Sequence, residues 1–254
     1  DHYGNIALFV PENTTATFKI QVTAPSIKVN YYTAVNKGLQ KFTVDDFGVD
    51  VNRYEFAIYD ADLEVPATLP SHITNIARMF KGSNRFNQDL SGWDVSNIVD
   101  AQDAFTECTA FNGNLSGWVL TSLRQATRMF SKCTSFNQPI GDWKLSDLRI
   151  VYDMFLQCTS FNQDLSDWNV STVFNFEGMF YGCTAFNKPL NGWNMSAASS
   201  LRNMFRGASS FNQSLDGWDV SGVSNMGSMF EGATSFNQDI SMWNTSKVTT
   251  LTNT

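Results

Sequence analysis

The sequence predicts a mainly β protein with short helical or 3₁₀ segments. About seven coils of 25 residues form a solenoid, and a small all-β, sandwich-like domain precedes it. Three observations carry this prediction. Seven tryptophans recur at a constant spacing of 25 residues. Phenylalanines recur at the same spacing in two further series, and no insertion or deletion interrupts the array. The chain before about residue 70 lacks the repeat and shows the apolar alternation of strands.

The repeat predicts a stack of coils, because a unit this short cannot bury its apolar face alone. Stacked units bury it by laying like residues over like, and 25 residues fall within the roughly 20–29 of leucine-rich repeats. Residues 88–95 are interpreted as the strand of one coil. Apolar steps of three in residues 223–230 predict a helical or 3₁₀ segment opposite. The expectation is a leucine-rich-repeat-type solenoid over residues 71–254.

Residues 1–70 are predicted to form a separate all-β domain that caps or mounts the first coil. Predicted strands lie at 6–10, 15–23, 26–32, 39–44 and 54–60, with turn signals between them. At the other end, residues 247–254 are half a unit without a polar capping segment. We expect either a trimmed chain there or an end that docks on something else.

Composition narrows the function classes. The 254 residues carry 24 acidic and 17 basic side chains, a net charge of −7. Nucleic-acid binders normally present a basic face, so no nucleic-acid partner is expected. No apolar run approaches the roughly 18 residues of a membrane span, so direct membrane insertion is not expected either.

Three ladders of identical residues are interpreted as structural. Stacked amides of the asparagine ladder can satisfy backbone groups and one another. For the cysteine ladder the alternatives are buried free thiols, disulfides between adjacent coils, and a zinc site. The tryptophan ladder is expected in the core, with the alternative that its edges stack on sugar rings or aromatic side chains. The members are Trp93, Trp118, Trp143, Trp168, Trp193, Trp218, Trp243, Asn87, Asn112, Asn137, Asn162, Asn187, Asn212, Asn237, Cys108, Cys133, Cys158 and Cys183.

The candidate binding face lies where side chains follow each Phe-Asn pair of the predicted strands. It consists of Gln88, Gln138, Gln163, Gln238, Asp89, Asp164 and Asp239. A calcium site is disfavoured there, because Pro139 and Pro189 fill the aspartate position in two coils. Six arginines near the Met-Phe edge are either solvated or functional: Arg78, Arg85, Arg124, Arg128, Arg202 and Arg206.

No catalytic residue, cofactor site or metal site is predicted. A serine or threonine follows each tryptophan by three residues, and this ladder is interpreted as caps for the helical segments. These hydroxyls are not expected to be nucleophiles, because no His or Lys accompanies them in register.

The units FNQDLSGWDVSNI, FNQDLSDWNVSTV, FNQSLDGWDVSGV and MFEGATSFNQDISMWNTSKVT closely resemble one family over residues 73–254. It is the BspA-like leucine-rich-repeat surface proteins, including related repeats of mycoplasma surface lipoproteins. The second unit departs from the pattern, with Gly113 in place of Gln and Val119 in place of Asp. The resemblance implies an extracellular location on cells or on virus and phage particles, and adhesion without catalysis.

The expected function is therefore non-enzymatic recognition of protein or glycan partners through the solenoid. The alternative is a structural part of a virion or an extracellular filament. That alternative predicts docking through the β domain or through the last coil, where Val248 and Leu251 lie. The sequence does not name the ligand, the organism, the anchor or the oligomeric state.

Overall fold

The computed structural model describes residues 15–20, 30–36, 40–44, 62–65, 67–69, 71 and 73–253. Four strands lie in the first part: β1 (Thr15–Ile20), β2 (Asn30–Asn36), β3 (Gln40–Val44) and β4 (Asp62–Glu64). They form one sheet in the order β1-β2-β3-β4. The first two pairings are antiparallel, whereas β3 and β4 pair in parallel.

These strands overlap the sequence predictions in part. β1 lies inside the predicted strand at 15–23, and β3 lies inside the one at 39–44. β2 begins at Asn30 and runs four residues past the predicted end at 32. The predicted strands at 6–10 and 54–60 lie outside the described residues. The division into domains 1–70 and 71–254 stays a prediction.

From residue 74 the chain repeats one conformation in seven coils, 74–98, 99–123, 124–148, 149–173, 174–198, 199–223 and 224–248. The predicted mainly β, leucine-rich-repeat-type solenoid with helical or 3₁₀ segments is wrong. Residues 73–253 contain no helix and no strand. The β-type pairing in this part of the chain is limited to seven isolated parallel bridges between successive coils, through Asn75, Asp100, Gln125, Ile150, Asn175, Ser200, Asn225 and Thr250. Residues 88–95 are not a strand, and residues 223–230 hold one isolated bridge residue, Asn225, followed by a turn at 227–230.

The reason lies in the first nine residues of each coil, residues 149–157 and their counterparts, which we call the turn ribbon. Every second N–H donates to the next coil, as from Asp153 to Glu177 at 2.9 Å and from Phe155 to Met179 at 3.0 Å. The intervening N–H groups close four-residue turns, as from Leu156 to Asp153 at 3.1 Å. This alternation interrupts both a helical ladder and a β ladder after each bond.

Left-handed residues enforce the alternation. Asp153 and Gln157 have φ values of 52° and 56°, and their counterparts in other coils are also left-handed. Such a conformation costs roughly 1 kcal/mol for a residue with a Cβ. A helical run cannot continue through it. The steps of three apolar residues in the ribbon therefore reflect successive turns.

The core runs the length of the stack. Two phenylalanine series stack in parallel columns, with Phe130 and Phe155 5.7 Å apart and Phe136 and Phe161 5.8 Å apart. Val65 and Leu69, which precede the first coil, are buried and belong to the same apolar cluster. Among the described residues there is no helix that could span a membrane.

Candidate functional site

The tryptophan ladder lies inside the stack. Trp93 to Trp218 keep only 2–4% of their surface exposed, whereas Trp243 in the last coil is half-buried. Each indole from Trp118 onward donates from Nε1 to a backbone carbonyl 28 residues earlier; for Trp168 this is Ile140, at 2.8 Å. Neighbouring rings stack, as Trp143 and Trp168 do at 5.9 Å. The indoles therefore hold adjacent coils together.

The asparagine ladder joins the coils along a second line. Oδ1 of each asparagine accepts the backbone N–H of the asparagine in the next coil, as Asn137 does from Asn162 at 2.9 Å. The same bond recurs in all six steps from Asn87 to Asn237. A side-chain acceptor therefore takes the place of the ladder carbonyl that a β-sheet would supply.

The glutamines of the predicted binding face bond within the stack. Nε2 of Gln163 donates to both the backbone oxygen and Oδ1 of Asn137 at 2.9 Å. Gln138 and Gln238 bond to the asparagine of the preceding coil in similar ways. Gln88 instead bonds both the N–H and the carbonyl of Val65. At Gly113, a Cβ would lie 2.1 Å from the carbonyl oxygen of Gln88, which explains why glycine fills that position.

The aspartates of that face support turns. Oδ1 of Asp89, Asp164 and Asp239 accepts the N–H of the serine two residues later at 2.8–2.9 Å. These bonds lower the pKa of all three carboxyl groups. The serine ladder, predicted to cap helices, has no helix to cap. Ser96 instead donates its N–H to Asp94, and Ser171 donates its N–H to Asn169. A ligand-binding role for the Gln and Asp side chains stays a prediction.

The four cysteines are free and buried. Each Sγ donates to the carbonyl of a phenylalanine 28 residues earlier, as Cys133 does to Phe105 at 2.9 Å. Burial raises the pKa of each thiol. The residues 73–253 contain no group of three or more metal-binding side chains.

A column of alternating charge follows the left-handed position of the first four coils: Arg78, Asp103, Arg128 and Asp153. Burial opposes the ionisation of Asp103, but bonds from Arg128 (2.7 Å), Gln102 and Thr106 outweigh it and lower the pKa. Burial raises the pKa of Asp153 to about 6. Gly178 closes the column, and a Cβ there would lie 2.0 Å from Oδ1 of Asp153.

The outward positions of the turn ribbon vary from coil to coil, unlike the ladders. The first position of each coil, which Arg149 occupies in its own coil, is exposed in all seven coils and again at residue 249. It holds Thr74, Val99, Arg124, Arg149, Phe174, Ser199, Ser224 and Thr249. The ribbons of the seven coils carry eight of the twelve Lys and Arg residues between 73 and 253, but only six of the fifteen acidic residues. The ribbon is thus the basic side of an acidic protein.

Two surface depressions of the described chain are small. One of about 180 Å³ is lined by Asn75, Arg78 and Asp100, and another of about 190 Å³ lies beside Trp118, Val119 and Trp143. Small-molecule sites are typically clefts of roughly 300–1,000 Å³. Both depressions fall below that range.

Sequence reasoning located the arginines near the Met-Phe edge without separating them. The structure divides them: Arg128 bonds a buried carboxylate, whereas the side chain of Arg124 is 64% exposed. The side chain of Arg149, which is outside that set, is 52% exposed. Arg149 and the neighbouring Phe174 were missed. A comparison of the same position across the coils could have found both, because serine or threonine fills it in four others.

The family model described as Mycoplasma protein of unknown function, DUF285, matches residues 59–168, 113–215 and 151–254. These matches overlap and together cover more than half of the chain. They support a Mycoplasma-type repeat family and not the BspA-like leucine-rich-repeat proteins specifically. No curated protein and no solved structure matches the chain.

Proposed function

The chain belongs to the repeat family described as Mycoplasma protein of unknown function, DUF285. On that premise, we propose that it is a non-enzymatic surface protein that recognises a protein or glycan partner. It would act outside the cell, on a cell or particle surface, through side chains on its stacked coils. An adhesive role of this kind needs a wide, stiff face and no reaction chemistry.

One observation carries the proposal: the repeated residues hold the coils together, and the varied residues face solvent. The indoles, asparagines and thiols bond between coils. The exposed ribbon position changes from threonine to valine, arginine, phenylalanine and serine. Stability does not require this variety, since the backbone bonds at the position are the same in each coil.

The test is adhesion of beads coated with the full chain to a monolayer of cultured animal epithelial cells. We expect beads coated with native chain to adhere to the cells and beads coated with heat-unfolded chain not to adhere. Pretreating the cells with trypsin distinguishes a protein receptor, and pretreating them with periodate distinguishes a glycan. Equal adhesion by native and unfolded chain, or adhesion no higher than that of albumin-coated beads, would refute the proposal.

Location is tested separately. An antibody against the chain should label intact cells or particles of the source organism, and external protease should remove the label. Labelling that appears only after the cells are opened would contradict a surface role.

A further inference from the structure

Four consecutive coils present an exposed row unlike the rest of the stack. Val99, Arg124, Arg149 and Phe174 occupy the same ribbon position, and each of the last three donates its N–H to the carbonyl of the residue before it in the row. Their spacing along the stack is therefore that of adjacent parallel strands, about 4.8 Å. Val99 is 37% exposed and Phe174 is 43% exposed. The two guanidinium groups are thus flanked by one apolar side chain at each end of the row.

The two guanidinium groups retain binding capacity. Asp147 accepts from Nε of Arg124 and from Nε and Nη2 of Arg149. Each guanidinium has five N–H donors, so one carboxylate uses three of ten. Asp147 also fixes the orientation of both side chains, which lowers the entropy cost of binding a further anion. The row carries a net positive charge in a protein whose net charge is −7.

The residues that directly follow the row indicate that this part of the stack is not optimised for stability. Asn75, Asp100 and Asn175 each accept the N–H of the residue two positions later, which supports the turn. In the two coils that begin at Arg124 and Arg149, this acceptor is replaced by Gln125 and Ile150. Oε1 of Gln125 is buried without a hydrogen-bond partner, and Ile150 offers no acceptor at all. Local rules are broken in this way mainly at functional sites.

We propose that Val99, Arg124, Arg149 and Phe174 form a docking row for an acidic segment of a partner protein. The row spans three steps of about 4.8 Å, roughly 14 Å, which an extended segment of four to five residues covers. Carboxylates in the middle of that segment would pair with the arginines, and apolar or aromatic side chains at its ends would contact Val99 and Phe174. Arginine and aromatic residues are the usual anchors of protein interfaces.

The inference rests on the proposed recognition function and names its site and partner chemistry. A phage-displayed library of random short peptides is the probe, selected on the immobilised full chain. We expect enrichment of acidic pairs flanked within five residues by Phe, Tyr, Trp or Leu. No enrichment over an unrelated immobilised protein, or enrichment of basic peptides, would overturn the docking row.

The variant Arg124→Ser/Arg149→Ser/Phe174→Ser places in the row the residue that Ser199 and Ser224 supply elsewhere, so we expect it to fold normally. We expect its affinity for the selected peptides to fall at least about tenfold. The control Lys144→Asn/Lys188→Gln also removes two cations and uses residues native to those positions in other coils; its affinity should stay within about twofold. Equal affinity of both variants would overturn the proposal.

Two further outcomes separate the possibilities. Acidic glycans on an array are the second probe. If they bind the wild type but not the row variant, and no selected peptide binds the wild type, then the partner is an anionic glycan and the proposed protein segment is refuted. If coated beads adhere to cells equally well with the wild type and the row variant, recognition stands and the row is not its site. If wild-type beads do not adhere, the recognition function itself fails.

Discussion

The left-handed position of the turn ribbon holds residues of opposite charge in successive coils. Arg78, Asp103, Arg128, Asp153 and Asn203 all adopt φ values between 52° and 61°. Their side chains therefore project from an uncommon backbone geometry onto one line. Along that line charges alternate, and two aspartates acquire opposite pKa shifts because only one of them bonds an arginine.

A pH dependence follows at Asp153. Burial raises its pKa to about 6, with Tyr152, Glu177 and Arg128 as the facing groups, against about 3.9 in an unfolded chain. A raised pKa favours the protonated carboxyl in the folded state. This stabilising contribution is complete below about pH 4 and is lost as the pH rises through 6. We expect Asp153→Asn, which removes the charge, to increase the free energy of unfolding at pH 7 but not near pH 4.

Urea unfolding at both pH values measures this effect. The backbone tolerates asparagine, since Asn203 has the same conformation in another coil. Asp103→Asn is the matched control, with the opposite expectation: its pKa is lowered, so its contribution is present above about pH 4, and the variant should be less stable at pH 7. Equal destabilisation by both substitutions at pH 7 would contradict the account.

The turn ribbon shows why the elements were predicted incorrectly. Its apolar residues at steps of three match a helix, and sequence patterns do not reveal that residues such as Asp153 and Gln157 are left-handed. Residues 163–170, the counterpart of 88–95, were interpreted as a strand, but the preceding Asn162 pairs with the next coil through its side-chain Oδ1 and not through its backbone carbonyl. Both features come from contact between coils, which is absent from local propensity.

The repeat itself could be predicted. Constant spacing places identical residues over one another, and that is sufficient to assign the columns of Phe155, Phe161 and Trp168 to one interior. The exposed row needed a different comparison. Val99, Arg124 and Phe174 share neither residue type nor charge, so a search for repeated residues passes over them, and only a comparison of one position across the coils identifies them.

The asparagine ladder gives a prediction for one element. Asn162→Ala removes the acceptor of the Asn187 N–H and leaves that donor unpaired. The bond is exposed, so we expect a loss of about 0.5–1.5 kcal/mol in the free energy of unfolding, measured by urea denaturation. Asn237→Ala is the control. Asn237 lies in the last described coil, so its Oδ1 accepts no N–H from a further described coil. Its loss should be much smaller, and equal losses would show that the ladder does not join coils.

The whole molecule behaves as a line of neighbouring units. In such stacks, stability is approximately a sum of terms for each unit and for each interface between units. An interior coil has an interface on both sides, whereas the last described coil has one. Exposed Met242 and Leu251 and half-buried Trp243 lie at that open side. Docking of subunits there, the alternative function, stays a prediction.

This arrangement predicts a position effect for tryptophan. Trp168→Ala removes a buried ring and leaves the carbonyl of Ile140 without its indole donor. We expect a loss of about 3–5 kcal/mol in the free energy of unfolding. Trp243→Ala, in the half-buried position, should cost clearly less. A cost below about 1 kcal/mol for Trp168→Ala would show that the column is not core.

The central claim is that ladder positions build the stack and exposed ribbon positions recognise the partner. A scan of all single substitutions in residues 124–182, displayed on yeast, tests it most directly. Surface display reports folding, and capture by epithelial-cell membrane vesicles reports recognition. The account predicts that substitutions of Trp143, Asn162 and Cys158 lower both signals, whereas substitutions of Arg124, Arg149 and Phe174 lower capture alone. Capture that follows display at every position would contradict it.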